Sequence, residues 1–171
     1  FNFKINTFTH ILEGYKVANE LKDHNANAST FSDWWAYKYE VNDAIPYNAA
    51  LLLQAGVNTA INSDDAEMGR RLNQEAAKVI KYGKISQEEA WKLITLNPAK
   101  MLQIDNYVGS LKKNKDADLV VWSSNPLSMY AIVEKTYIDG RCYFSLEQDR
   151  EHREIIKNEK ARLLHKLLNK K

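Results

Sequence analysis

Pro46-Tyr47-Asn48-Ala49-Ala50-Leu51-Leu52-Leu53-Gln54-Ala55-Gly56-Val57-Asn58-Thr59-Ala60-Ile61-Asn62-Ser63-Asp64-Asp65 is the stretch that decides the fold class. Pro46 suits the first turn of a helix, where its missing N–H is not needed. Residues 47–55 continue with helix formers. Gly56 ends the helix, because glycine takes the left-handed backbone of a C-terminal cap. Residues 57–61 then read as a short strand that empties into the polar run Asn62-Ser63-Asp64-Asp65.

The same alternation runs upstream. Phe1, Phe3 and Ile5 alternate with Asn2, Lys4 and Asn6, the period of a strand with one buried face. That strand ends at Thr9-His10. Residues 11–21 read as an amphipathic helix, with Leu12, Tyr15, Ala18 and Leu21 at three-residue intervals and Gly14 weakening it. Residues 28–31 form a second short strand, followed by the aromatic run Ser32-Asp33-Trp34-Trp35-Ala36-Tyr37. Strand, helix, strand, helix, strand predicts an α/β fold with a parallel sheet and helices outside it.

Downstream, residues 66–82 read as one long helix closed by Gly83. Ser86 and Glu89 form a capping-box pattern for the next helix, which runs toward Asn97-Pro98, and Pro98 restarts a short one over residues 98–102. The character then changes. Residues 117–122 are an apolar strand, and Asp139-Gly140 centres a hairpin. Residues 149–171 are charged and helical, with Ile155, Ile156, Leu163, Leu164, Leu167 and Leu168 as an apolar stripe.

Composition narrows the class. The 171 residues suit one domain, and 44% hydrophobic with 27% charged residues is ordinary for a globular chain. A formal net charge of +2 gives no global field for nucleic acid. The lone Cys142 cannot make an internal disulfide. No run approaches the roughly 20 apolar residues of a membrane span. In the tail, Glu147, Asp149, Glu151, Glu154 and Glu159 largely balance the basic residues, which argues against a membrane-binding helix. The expected compartment is the cytoplasm by default, or periplasmic or secreted if a longer parent carries a leader.

Three polar groups sit where strands enter loops: His10, then Ser32 with Asp33, then Ser63 with Asp64 and Asp65. In a (β/α) barrel such strand ends share the face that carries the active site. A histidine and a carboxylate meeting there suit a hydrolytic metal, and the carboxylate suits proton transfer from an activated water. The bland readings stand beside this. A lone histidine at a strand end often serves as a structural hydrogen-bonding residue. Paired aspartates before a helix are commonly N-caps, and Asp65 before Ala66-Glu67-Met68 fits that role. Trp34 and Trp35 read as packing or as a pocket wall with Tyr37. Arg70-Arg71 reads as a solvated helix face, and His24, His152 and His165 as surface groups.

Thr7-Phe8-Thr9-His10-Ile11-Leu12-Glu13-Gly14, Ile61-Asn62-Ser63-Asp64-Asp65, Leu96-Asn97-Pro98-Ala99-Lys100-Met101-Leu102, Val108-Gly109-Ser110-Leu111 and Lys115-Asp116-Ala117-Asp118-Leu119-Val120-Val121-Trp122 follow one another in a familiar order. Together they resemble the amidohydrolase superfamily, in particular its imidazolonepropionase-related and prolidase-like hydrolases. The resemblance covers residues 1–144 and leaves the charged tail outside.

It implies the C-terminal part of a TIM-type (β/α) barrel, about strands six to eight, over residues 1–105. Strands of a small β-sandwich follow over 106–146, then a charged helical tail over 147–171. It implies Asp64 as metal ligand and proton shuttle, and His10 as a ligand of the second metal in two-metal relatives or a hydrogen-bond partner of the attacking water or substrate in one-metal relatives. Trp34 and Ser63 become candidates for substrate binding. The cofactor it implies is a divalent metal, zinc before others, with one or two ions in a full-length protein.

The superfamily's His-x-His pair and its ligand histidine on strand five have no counterpart in this sequence. The resemblance therefore implies a fragment, inactive alone, whose open sheet edge favours a homo-oligomer. The expected partners are a small-molecule substrate with a C–N bond to cleave, no nucleic acid and no membrane. A non-catalytic interaction module is the alternative.

Overall fold

The computed structural model describes residues 2–169. Phe1, expected to open the first strand, lies outside the described residues, as do Lys170 and Lys171. The chain divides into two compact units. The first holds the residues up to Lys115 together with Pro126–Tyr130. The second holds Asp116–Asn125 and the chain from Ala131 onward.

The first unit is an α/β layer. Strands β1 (Thr7–Phe8), β2 (Asn27–Thr30) and β3 (Thr59–Ile61) form a parallel sheet in the order β1-β2-β3. Thr7 pairs with Asn27, and Ala28 pairs with Thr59. Between them run α1 (Ala18–Asp23) and α2 (Asn48–Ala55). Then come α3 (Ala66–Gly69), α4 (Leu72–Gly83), α5 (Gln87–Lys92) and α6 (Leu96–Met101). Two apolar clusters hold the layers. Leu21, Ala26, Ala28, Leu52 and Val57 pack beneath β2, and Ala49, Ala50, Ile61, Val79 and Leu93 pack between α2 and α4.

Several expectations are corrected. The ladder of the first strand holds only Thr7 and Phe8, although the alternation began at Phe1. β1 is an edge strand, so one side of the run before it has no neighbour to pair with. Its residues Phe3, Ile5 and Phe8 line an open apolar groove of about 480 Å³ together with Val17, Leu21 and His24. His24 is half-buried there, not a surface group: its Nε2 accepts from Ile5 N at 3.0 Å. The helix expected over 11–21 is a 3-10 turn, Gly14–Val17, leading into α1. Gly14 explains the tight turn, because a Cβ there would stand 3.0 Å from Ile11.

The single helix expected over 66–82 is two. Asp65 caps α3, which ends at Gly69, and α4 restarts after Arg71 with φ −127°. The cap of α4 is not Gly83 but Lys84, at φ 53°. Gly83 stays helical because its bare Cα faces α2, where an added Cβ would sit 2.2 Å from the Ala50 Cβ. The capping box of α5 is present as expected: Ser86 Oγ accepts from Glu89 N at 3.1 Å.

The second unit is an antiparallel sheet, β4 (Leu119–Trp122), β5 (Val133–Ile138) and β6 (Arg141–Ser145), in that order. Its hairpin turns on Asp139 and Gly140, both left-handed at φ 51° and 75°. Asp118 Oδ1 accepts from Asp139 N at 2.9 Å and pins the turn. The helix α7 (Leu146–Leu168) follows directly from β6, and none of its residues is buried. Among the described residues no helix is long and apolar enough to cross a membrane.

Candidate functional site

The carboxyl ends of β1 and β3 deliver His10 and Asp64 to one place. His10 Nε2 and Asp64 Oδ1 stand 3.7 Å apart, each side chain more than half exposed. Both residues have left-handed backbone, φ 55° and φ 50°. That region is uncommon for non-glycine residues, and histidine and aspartate are among the types that tolerate it best. Strain of this kind gathers at functional sites, and two strand ends here share it.

The loops behind the pair are tied down by buried polar groups that the sequence did not single out. Asn48, at the start of α2, is buried. Its Nδ2 donates to Ile11 O at 2.8 Å and to Thr30 Oγ1 at 3.0 Å, and its Oδ1 accepts from Tyr15 N at 2.8 Å. One side chain thus clamps the turn after His10 to the end of β2. A polar residue in a helical run gave no periodic signal for this. The buried Glu75 of α4 accepts from Ser32 Oγ at 2.5 Å and pairs with Lys78, which also reaches Asp33 at 3.0 Å. This network fixes the loop that leaves β2.

That loop carries an aromatic stack. The His10 ring lies 5.5 Å from Phe31 at 11°, and Phe31 lies 4.3 Å from Trp34 at 6°. Trp34 therefore joins the pair through Phe31, with Tyr37 edge-on to it at 5.7 Å. Trp35 does not join them; it packs edge-on against Tyr82 of α4 at 6.0 Å. Ser63 donates its hydroxyl to Asp65 O at 3.2 Å. Asp65 is the N-cap expected of it, its Oδ1 accepting from Glu67 N and Met68 N, both at 2.9 Å. Arg70 and Arg71 both pair with Glu67 on the helix surface.

Burial pulls the Lys78 ammonium down, but its hydrogen bonds to Glu75 and Asp33 outweigh that and leave its pKa above the ordinary 10.5. A raised lysine stabilises the fold fully below its unfolded pKa and loses that contribution as pH rises through the folded value. The melting temperature is expected to fall more steeply above pH 10.5 in the parent chain than in Lys78→Met. Equal slopes in thermal melts would remove the network from the stability of this loop. Asp65→Ala is expected to lower stability by about 1 kcal/mol in urea denaturation, the usual cost of a lost cap.

Two donors bound to one ion at about 2.0–2.2 Å, at a tetrahedral angle, stand roughly 3.4 Å apart. The 3.7 Å between His10 and Asp64 fits that spacing and exceeds a charge-assisted hydrogen bond. The imidazole and carboxylate are donors that suit zinc. Among the described residues no three His, Cys, Asp or Glu side chains converge. Nearby, Asn62 gives its Nδ2 to Ser29 Oγ at 3.0 Å, while its buried Oδ1 meets no donor.

Known proteins resemble this chain over most of its length. The model described as Amidohydrolase family matches residues 44–143. The amidohydrolase tasK of Hapsidospora irregularis is 30% identical over 149 residues, 84% of this chain and 15% of that protein. An imidazolonepropionase of Picrophilus torridus is 34% identical over 101 residues, 54% of this chain and 26% of its own. The solved structure of an amidohydrolase from Thermotoga maritima superposes with a TM-score of 0.76 at 33% identity, over 81% of this chain and 37% of that one. The chain thus spans well under half the length of each. A family match over more than half the chain, together with a relative 30% identical over 84% of it, places this chain in the amidohydrolase family.

Proposed function

We propose that this chain is the C-terminal part of a metal-dependent hydrolase that cleaves C–N bonds in a cyclic amide or dipeptide-like substrate. The observation that carries it is the convergence of His10 and Asp64, 3.7 Å apart, at the ends of β1 and β3. In this reading β1, β2 and β3 are the last three strands of a barrel and β4 to β6 belong to a small sandwich.

His10 Nε2 and Asp64 Oδ1 would hold a divalent ion, zinc before others. When bound, such an ion supplies Lewis acidity toward the scissile group. Asp64 takes the proton from the attacking water on its carboxylate and passes it to the leaving nitrogen. His10, its ring fixed against Phe31, orients the water or the substrate oxygen. Trp34 and Ser63 line the substrate's approach, and the clamp of Asn48 keeps the His10 turn in place.

The missing donors favour a second statement: the chain alone is inactive. Zinc titrated into it by calorimetry is expected to bind weakly. Tight stoichiometric binding would contradict the incomplete shell. Activity of Asp64→Asn in the full-length protein tests the function itself.

A further inference from the structure

We propose that the second half of α7 is a peripheral docking surface for anionic lipid membranes. The family match ends at residue 143, before α7 begins. It is exposed from Arg150 onward, and its exposed large apolar side chains run from Ile155 to Leu168. Ile156 and Leu163, seven residues apart, share a face with Leu164, Leu167 and Leu168, and Lys160 and Lys157 stand on that same face, where their stems can lie along apolar surface with the ammonium groups reaching outward. Leu167 is 66% exposed and Leu168 80%.

Charge separates along the same helix. Residues 147–154 carry four acids, Glu147, Asp149, Glu151 and Glu154, against Arg150 and Arg153, a net of −2. Residues 155–168 carry Lys157, Lys160, Arg162 and Lys166 against Glu159 alone, a net of +3. The tail looks balanced only when both halves are averaged. The half that holds the leucines is cationic, and Glu159 is itself engaged by Arg162 at 2.6 Å.

These features select the occupant. A second copy laid along the leucine half would set +3 against +3. Laid antiparallel over the full helix, it would set the leucines against Asp149 and Arg153. An anionic bilayer meets both demands, taking apolar side chains below the headgroups and lysines among them.

The test is sedimentation of the chain with vesicles of phosphatidylglycerol and phosphatidylcholine, compared with phosphatidylcholine alone. Three net charges predict about a hundredfold tighter binding to the anionic vesicles, weakened by salt. Leu164→Ser with Leu168→Ser, on an exposed face, is expected to abolish that binding with unchanged circular dichroism. Lys160→Glu with Lys166→Glu is expected to remove the preference for anionic lipid. No binding to anionic vesicles, or binding that survives the serine pair, overturns the proposal. So does a lipid-free dimer, seen by sizing, that the serine pair dissociates.

Discussion

Asp64→Asn in the full-length protein is expected to lower kcat/KM by about 10³-fold, within the usual range for a lost general acid–base group. Asparagine is the informative replacement. It keeps the size of the side chain and accepts the left-handed backbone at φ 50° as readily as aspartate. What it loses is the charge and the ability to carry a proton. The Asp64 carboxylate faces His10 and, among the described residues, supports no backbone N–H, whereas its neighbour Asp65 accepts two. The two carboxylates therefore separate by experiment. Asp64→Asn should show that loss of turnover with little change in melting temperature. Asp65→Ala should lower stability while leaving most of the turnover. The reverse outcome would exchange their roles, and full activity in Asp64→Asn would end the assignment.

Local chemistry made some of this architecture readable. Gly56 at φ 88°, the Ser86 capping box, the Asp139-Gly140 turn and the Asp65 cap are all decided within four or five residues. His10 and Asp64 were visible as polar residues at strand ends. Their distance was not, because it depends on β2 lying between β1 and β3.

Elsewhere packing overrode propensity. The long helix after Asp65 breaks at Arg70-Arg71, where Arg71 leaves helical backbone at φ −127°. Asp65 starts the first segment, and burial of Ala76 and Val79 aims the second. Glu75 and Asn48 were unreadable for a related reason. A polar residue on a helix gives no sign that it will be buried as a clamp until its partners on other elements are known. The edge position of β1 is likewise a property of the sheet, and its ladder starts only where β2 begins, at Asn27.

The largest stability effect is expected at Gly109. The motif Val108-Gly109-Ser110-Leu111 passes directly over α6, the helix of Leu96-Asn97-Pro98-Ala99. Gly109 is left-handed at φ 82°, and a Cβ on it would stand 2.7 Å from the Ala99 Cβ and 3.1 Å from the Leu96 Cα. The two motifs are thus the two sides of one contact. From there α6 reaches the strand that carries Asp64: Asn97 Nδ2 donates to Thr59 O at 2.8 Å, and Asn58 Nδ2 donates to Asn97 O at 3.3 Å.

Gly109→Ala combines two costs. Left-handed alanine is disfavoured by about 1–2 kcal/mol, and overpacking against backbone adds roughly 1–3 kcal/mol. Two other glycines of the same unit carry the costs singly. Gly56 is left-handed but meets only the flexible end of Lys22, at 3.4 Å, so Gly56→Ala should show the strain alone. Gly83 has ordinary backbone but would press on Ala50, so Gly83→Ala should show the overpacking alone. In urea denaturation Gly109→Ala should therefore lose more than Gly56→Ala, by the cost of the overpacking. If it lost no more than Gly56→Ala, the close approach to α6 would carry no energy, and the glycine would serve the turn only.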